Sequence, residues 1–299
     1  MTKSNLKHLA PFVRGEVRKS EAKRLSFLMA DQWFTYPKAA GVLKRLEATL
    51  YYLTEDRPGT LVLMGDPGNG KTSLAKRFVD KHPIIVPDGL EHGECSWPVI
   101  LVDMPSGATE HTFWNAVLRA LRVPLQERST LAAKETQATE LLTSIGLRML
   151  IIDEFHNILH PDDAVRRTLL ETVRKLLMRL EAAVTLVGTR DALAAFQQDI
   201  PLTSRFEVVA LPRWTLDRDF ARMLVTFERL LPLAKPSRLA TPEPGRFIYT
   251  HCGGTIGGVA GWLRRAAEIA IRSGEEQITM EILEQARLKV HDPAVVSDV

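Results

Sequence analysis

An α/β fold, a parallel five-stranded sheet flanked by helices and followed by a small helical domain, is predicted by three observations. Short apolar runs alternate with helical periodicity from Thr60 to Leu211. A glycine-rich octapeptide, Gly65-Asp66-Pro67-Gly68-Asn69-Gly70-Lys71-Thr72, follows the first of those runs and opens a helix. Beyond Leu211 the β-type runs stop and only helical patterns remain. With 299 residues, 45% apolar and 25% charged, the chain can bury a sizeable core in one large domain or two smaller ones.

The chain reads as three parts: a basic N-terminal arm with a helical lead-in at 1–56, an α/β domain at 57–213 that carries the octapeptide, and a helical domain with a tail at 214–299. Lys3, Lys7, Arg14, Arg18, Lys19, Lys23 and Arg24 face only Glu16 and Glu21 in the first segment. Such an arm is either solvated and disordered or a contact for DNA or a partner. Asp31 to Pro37 forms an aromatic cluster of Trp33, Phe34 and Tyr36, suited to part of a base pocket or to packing against the sheet domain. A stripe of Leu43, Leu46, Leu50 and Leu53 makes the following helix, closed by Arg57-Pro58-Gly59.

Strands are expected at 60–64, 98–103, 148–152, 183–187 and 206–211. Between them, Phe113, Val117 and Leu121 share one helical face, and Leu169, Leu170, Val173, Leu176, Leu177 and Leu180 make a broader stripe. Arg166, Arg167, Arg174, Lys175 and Arg179 occupy the other faces of that second helix, as a solvated surface or as a DNA contact. The C-terminal part is expected as helices at 215–231, 256–273 and 279–290, with a proline-rich linker at 232–244.

The octapeptide matches G-x-x-x-x-G-K-[ST] in the strand, turn and helix setting that gives the pattern its meaning. Gly65, Gly68 and Gly70 let the backbone turn tightly and bring its N–H groups to a polyphosphate. Lys71 is placed to contact the β/γ-phosphates, Thr72 to give its hydroxyl to Mg²⁺, and the positive end of the helix favours the anion. Gly65, Asp66, Pro67, Gly68, Asn69, Gly70, Lys71, Thr72 and Ser73 are therefore the expected ATP-binding set. Arg148 to Glu154 is an apolar strand ending in two carboxylates, Asp153 for the metal and Glu154 to orient or deprotonate the attacking water. Thr189, just past the strand Val184–Val187, is a candidate γ-phosphate or water sensor. Arg205, before the last strand, would reach a neighbouring subunit's γ-phosphate if subunits stack; otherwise it makes a local salt bridge. Catalysis is thus assigned to Lys71, Glu154, Thr189 and Arg205.

His156 and His160 are four apart, a spacing that can bring two metal ligands to one helix face, but no third ligand stands at a fitting distance and local structural roles are expected. The two cysteines, Cys95 and Cys252, have no metal-ligand spacing and suit a reduced compartment. The net charge of +3, with a pI near 8.9, permits contact with nucleic acid without demanding it. The N-terminus has no apolar core of a signal peptide and no run approaches a membrane span, so a cytoplasmic protein without membrane contact is expected.

In this order, the glycine loop, the Asp-Glu strand, the strand with Thr189, Ser204-Arg205-Phe206 and a helical domain resemble an AAA+ ATPase. The resemblance narrows at Asp31-Gln32-Trp33, Asp153-Glu154-Phe155-His156-Asn157, Leu211-Pro212-Arg213-Trp214 and Pro232 to Ser237, which are similar to the TniB family of TnsC-like transposition ATPases. The likeness runs from about residue 10 to 290. It implies an ATP-dependent, DNA-binding regulator that forms rings or filaments on target duplex and recruits a DDE transposase and a TniQ-type targeting protein. It departs from the wider AAA+ pattern in Thr255 to Leu263, which has no arginine where many relatives carry a sensor; Arg264 and Arg265 come later.

The loop from Pro105 to His111, with Ser106, Thr109 and His111, is the expected inner-facing DNA element. Small hydroxyls and amides there suit phosphate contacts that position without reading sequence, so sequence-tolerant, salt-sensitive binding to double-stranded DNA is expected. Two other readings keep the nucleotide site: a different AAA+ task in DNA metabolism, such as helicase or clamp loader, and an ATP-bound scaffold without turnover.

Overall fold

Alternation of period two in the apolar runs decides which side chains each face of the sheet buries. The computed structural model describes residues 6–30, 33, 36–51, 59–85, 96–126, 128–192 and 206–288. Its strands are β1 (Thr60–Gly65), β2 (Val99–Asp103), β3 (Met149–Asp153), β4 (Ala183–Gly188) and β5 (Glu207–Leu211), in the order β2-β3-β4-β1-β5 with every pairing parallel. β3 and β4 are buried along their whole length, as parallel strands covered on both faces must be.

One face carries Val62, Ile100, Val102, Leu150, Ile152, Val184 and Leu186. Against it pack α4 (Glu110–Ala120) through Phe113, Trp114 and Val117, α5 (Leu131–Ser144) through Ala138 and Leu142, and α6 (Asp163–Arg179) through Leu169, Val173 and Leu176. Leu61, Leu63, Ile151 and Val187 alternate with them on the other face. There α3 (Lys71–Lys81) lies along β1 to β4, and α2 (Pro37–Tyr51) along β1 and β5. The α6 stripe is the one expected, and two of its arginines are ion-paired: Arg166 with Asp163, and Arg179 with Glu135 of α5. The sequence reading did not single out α5, although Thr130 caps it by accepting the N–H of Ala133.

Two compact units result, one of residues 37–212 and one of residues 1–36 together with 213–299. The lead-in expected as one part is therefore divided: α2 belongs to the sheet unit, and the segment before it to the helical unit. That helical unit contains α7 (Arg218–Leu230), α8 (Pro242–His251), α9 (Ile256–Arg272) and α10 (Met280–Leu288). α7 starts three residues later than expected because Asp217 caps it, accepting from the N–H groups of Asp219 and Phe220. The stretch expected as a linker contains the start of α8. Proline at the first helical position has no N–H to waste and a φ already suited to a helix, so Pro242 begins the element rather than breaking it.

Residues 6–30 of the basic N-terminal segment do not form a free arm. Leu9 and Val13 are fully buried beside Leu230, and α1 (Glu21–Met29) contacts α9. Arg24, 7% exposed, donates to the Pro232 carbonyl at 2.6 Å and forms a two-pronged pair with Glu276, with Nη1 at 2.8 Å from Oε1. Burial acts to raise the Glu276 pKa, but the Arg24 bonds, the Ala234 N–H and the charges of Arg24 and Lys235 outweigh it and hold the group below its ordinary 4.5. Glu228 on α7 accepts three backbone N–H groups, from Ser237, Arg238 and Leu239, and so folds the proline-rich stretch after α7 onto its own helix. Tyr36 packs on Trp214 at 5.1 Å between ring centroids, within the helical unit, and burial pushes its hydroxyl up to about 12. Trp33 is described, whereas Asp31, Gln32, Phe34 and Thr35 lie outside the described residues.

Candidate nucleotide-binding site

Because every strand runs the same way, the loops that follow β1, β3 and β4 leave from one edge of the sheet, where such folds bind ligands. Register places them. Met64 pairs with Gly188 across β1 and β4, so Thr189 comes next to the start of the glycine loop. Ile152 pairs with Leu186, so Asp153 stands one strand further along the same edge. With strands about 4.8 Å apart, Thr189 falls between the glycine loop and the carboxylate pair, all within about 10 Å.

Gly68 and Gly70 adopt φ of 71° and 84°, the left-handed region that suits glycine, and Gly70 directly precedes α3. Gly65 is required by space: a Cβ there would meet the Leu211 carbonyl oxygen at 2.8 Å. Asn69 is 1% exposed and its side-chain amide donates to the carbonyls of Leu211 and Pro212, at 2.6 and 3.0 Å. Lys71 Nζ donates to the carbonyls of Gly65 and Asp66, at 2.9 and 3.0 Å. Its pKa is lowered because burial outweighs the opposing pull of Asp153, Glu154 and Asp66. Those three carboxylates therefore share a field with the lysine, and the two sequence motifs meet in one site. Asp66 and Gly70 are half-buried with Lys71 and Thr72, while Pro67, Gly68 and Ser73 are exposed.

Asp153 is 1% exposed. Its Oδ1 accepts the N–H of Glu154 at 2.7 Å, and its Oδ2 is buried with no hydrogen-bond partner among the described residues. A buried carboxylate oxygen without a donor is costly unless a cation or its water shell meets it, so Asp153 and the Thr72 hydroxyl fit Mg²⁺, which keeps several waters and needs few protein ligands. Glu154 has φ of 53°, a left-handed conformation costing a side-chain-bearing residue about 1–2 kcal/mol. This turn takes its carboxylate out of the buried strand to 45% exposure. Its Oε2 is 3.2 Å from His156 Nδ1 without forming a hydrogen bond. The turn that follows is anchored by Asn157, whose amide donates to the Met104 carbonyl at 2.7 Å.

The His156 and His160 rings stand edge to face at 6.5 Å, and no cluster of three or more His, Cys, Asp or Glu among the described residues suits a metal. Arg205 and Cys95 lie outside the described residues. In the expected DNA loop, Ser106 is exposed. Thr109 is occupied as the cap of α4, exchanging bonds with Thr112, and His111 Nε2 is 3.0 Å from the ammonium of buried Lys134, which also donates to Asn115. Arg265 donates to the Ala286 carbonyl inside the helical unit. Sequence reasoning passed over Asn157 and the Asn69 bonds as individual contacts; both residues lay inside stretches it had singled out, but an amide's partners are not written in local pattern.

Among the described residues, no helix is long and apolar enough to cross a membrane. The chain is similar to the Orc1 protein of Aeropyrum pernix in complex with DNA, with a TM-score of 0.61, 16% identity, and coverage of 89% of this chain and 69% of that one. It is similar to the Orc2 protein of Aeropyrum pernix in its ADPNP and ADP complexes, with a TM-score of 0.60, 17% identity and coverage of 86% and 70%. It is also similar to a Walker-type ATPase of Pyrococcus abyssi, with a TM-score of 0.59, 16% identity and coverage of 91% and 78%. At such identities the likeness establishes the fold alone. No curated protein matches the sequence. The profile of the bacterial TniB protein matches residues 24–216, more than half of the chain and both halves of the nucleotide site, and the chain belongs to the TniB family.

Proposed function

We propose that this protein is an ATP-hydrolysing regulator of transposition that assembles on double-stranded DNA. The observation that carries the reading is the meeting of Lys71 with Asp153 and Glu154 at the edge of the sheet, in a chain of the TniB family. The backbone N–H groups after Gly68 and the Lys71 ammonium hold the phosphates of ATP, and the start of α3 adds its positive end. Thr72 and Asp153 hold Mg²⁺, which when bound neutralises charge on the transferring phosphate. Glu154 orients the attacking water and takes its proton, and Thr189, between the two motifs, contacts the γ-phosphate or that water. Arg205 completes the site of a neighbouring copy, so turnover depends on assembly as a ring or filament.

DNA contact in this reading is sequence-tolerant and made to phosphates, with the exposed Ser106 loop as one element. The resemblance to TniB proteins supports recruitment of a DDE transposase and a TniQ-type targeting protein by the assembled form. The test is ATP turnover together with negative-stain microscopy on random duplex DNA, with ATP, ADP and a non-hydrolysable analogue. Nucleotide-dependent rings or filaments should form, and Lys71→Ala and Arg205→Ala should abolish them. Glu154→Gln should assemble yet lose turnover by about 10²-fold or more. Monomers in every nucleotide state, with or without DNA, would refute the assembly mechanism.

A further inference from the structure

The glycine loop is fastened on two sides to the end of β5. Gly65 lies so close to Leu211 that a single added carbon would strike its carbonyl oxygen, and the Asn69 amide donates one hydrogen to each of the Leu211 and Pro212 carbonyls. Both partners are acceptors only, so the nitrogen end of the amide is fixed by chemistry and no other common side chain of that size offers two such donors. Pro212 is the last residue of the sheet unit and Arg213 the first of the helical unit.

On the far side of that boundary the chain is held just as firmly. Trp214 is 3% exposed, its N–H donates to the Gly254 carbonyl at 2.8 Å, and its ring packs on Tyr36 and Phe220. Arg213 donates to the Gly253 carbonyl. Gly254 has φ of 67°, and a Cβ there would stand 3.1 Å from the Trp214 carbonyl oxygen, so the turn admits glycine for both conformation and space. Thr255, the next residue, caps α9. Leu211 and Pro212 are therefore held by the glycine loop within the sheet unit, and Arg213 and Trp214 by the turn that starts α9 within the helical unit.

The geometry points to Asn69 as a positioning residue that carries the state of the glycine loop into the junction Leu211-Pro212-Arg213-Trp214. This inference rests on nucleotide binding at the proposed site. A phosphate that draws Lys71 Nζ to itself releases the carbonyls of Gly65, which meets Leu211, and of Asp66, the next residue. The two Asn69 bonds pass the resulting change in the loop to the Leu211 and Pro212 carbonyls, the second of which belongs to the peptide bond with Arg213.

The test is amide hydrogen exchange on the full chain, with and without a non-hydrolysable ATP analogue, alongside equilibrium binding of that analogue. In the wild type, nucleotide should slow exchange in the peptide containing Arg213 and Trp214 about tenfold. Asn69→Ala, compared at analogue concentrations that saturate it by its own binding curve, should lose that response. Asn69→Ser, with one donor left, should respond less than wild type, and it serves in place of the alanine variant if that fails to fold. A wild-type response kept in full by both variants would overturn the inference, as would binding that leaves junction exchange unchanged in the wild type. Absence of nucleotide binding by the wild type would instead refute the site itself.

Discussion

In the sheet unit, β3 and β4 bury every residue along their length, and the chemical groups stand on loops at the strand ends. In the helical unit, a buried arginine, Arg24, bonds to residues 208 and 252 positions away in the chain. The first arrangement rests on many equivalent apolar contacts and backbone bonds, none of which decides the outcome. The second depends on a few polar contacts that bring remote segments together. The two units should therefore respond differently to single substitutions, and that difference is open to measurement.

The largest effect is expected at the Arg24–Glu276 pair. Glu276→Ala leaves Arg24 inside the helical unit without its counter-charge, and loss of one partner of a buried pair costs about 3–5 kcal/mol. The Pro232 carbonyl keeps two of the Arg24 bonds, which points to the lower end of that range. Urea unfolding should show the loss in the helical unit, with nucleotide binding by the sheet unit preserved; a change below about 1 kcal/mol would mean that the pair is not what holds the N-terminal segment. Arg24→Met with Glu276→Leu should recover most of the loss, since a well-packed apolar pair replaces an ion pair at little cost. The same pair gives the unit an acid limb. The folded pKa of Glu276 is depressed, so its contribution is fully present above the ordinary value of 4.5 and is lost as pH falls through the lower folded value. Glu276→Gln should lack this part of the pH profile.

A smaller effect is expected in the sheet unit, at Gly65. The Cβ of Gly65→Ala would meet backbone, the Leu211 carbonyl oxygen at 2.8 Å, which cannot rotate away as a flexible side chain would. Overpacking of this kind costs about 1–3 kcal/mol. Because the loop itself must shift, nucleotide affinity should fall by a comparable amount, about tenfold or more, in equilibrium binding. Wild-type affinity in Gly65→Ala would show that the loop can move away from β5 without consequence.

Legibility in the sequence follows the same division. The five strands and the glycine loop were readable because their signals are local: short apolar runs, a glycine-rich turn before a helix, carboxylates at the end of an apolar run. Asp153 and Glu154 were assigned by type and place, but the left-handed turn of Glu154 and the unpaired Oδ2 of Asp153 are three-dimensional facts. In the helical unit, the row of basic residues concealed Arg24, which is buried while Lys7, Arg14, Arg18, Lys19 and Lys23 are exposed; composition cannot separate one arginine from six similar cations. Pro242 misled for a different reason. Proline argues against a helix interior and for a helix start, and only the capping geometry distinguishes the two.

The smallest effect gives the sharpest comparison, because one substitution can be made in both units under matched conditions. Gly41 lies inside α2 of the sheet unit and Gly261 inside α9 of the helical unit; both are exposed, and an added Cβ meets nothing within 4 Å at either. Neither has a positive φ. With no contact to gain or lose, Gly→Ala acts mainly by narrowing the unfolded chain's conformational freedom, and each should stabilise its helix by about 0.5–1 kcal/mol. If the units unfold separately, Gly41→Ala will raise only the transition that nucleotide also raises, and Gly261→Ala only the one that Glu276→Ala lowers. If both substitutions shift a single common transition, the units are coupled in folding, and the contrast between them concerns what holds each together rather than when each comes apart.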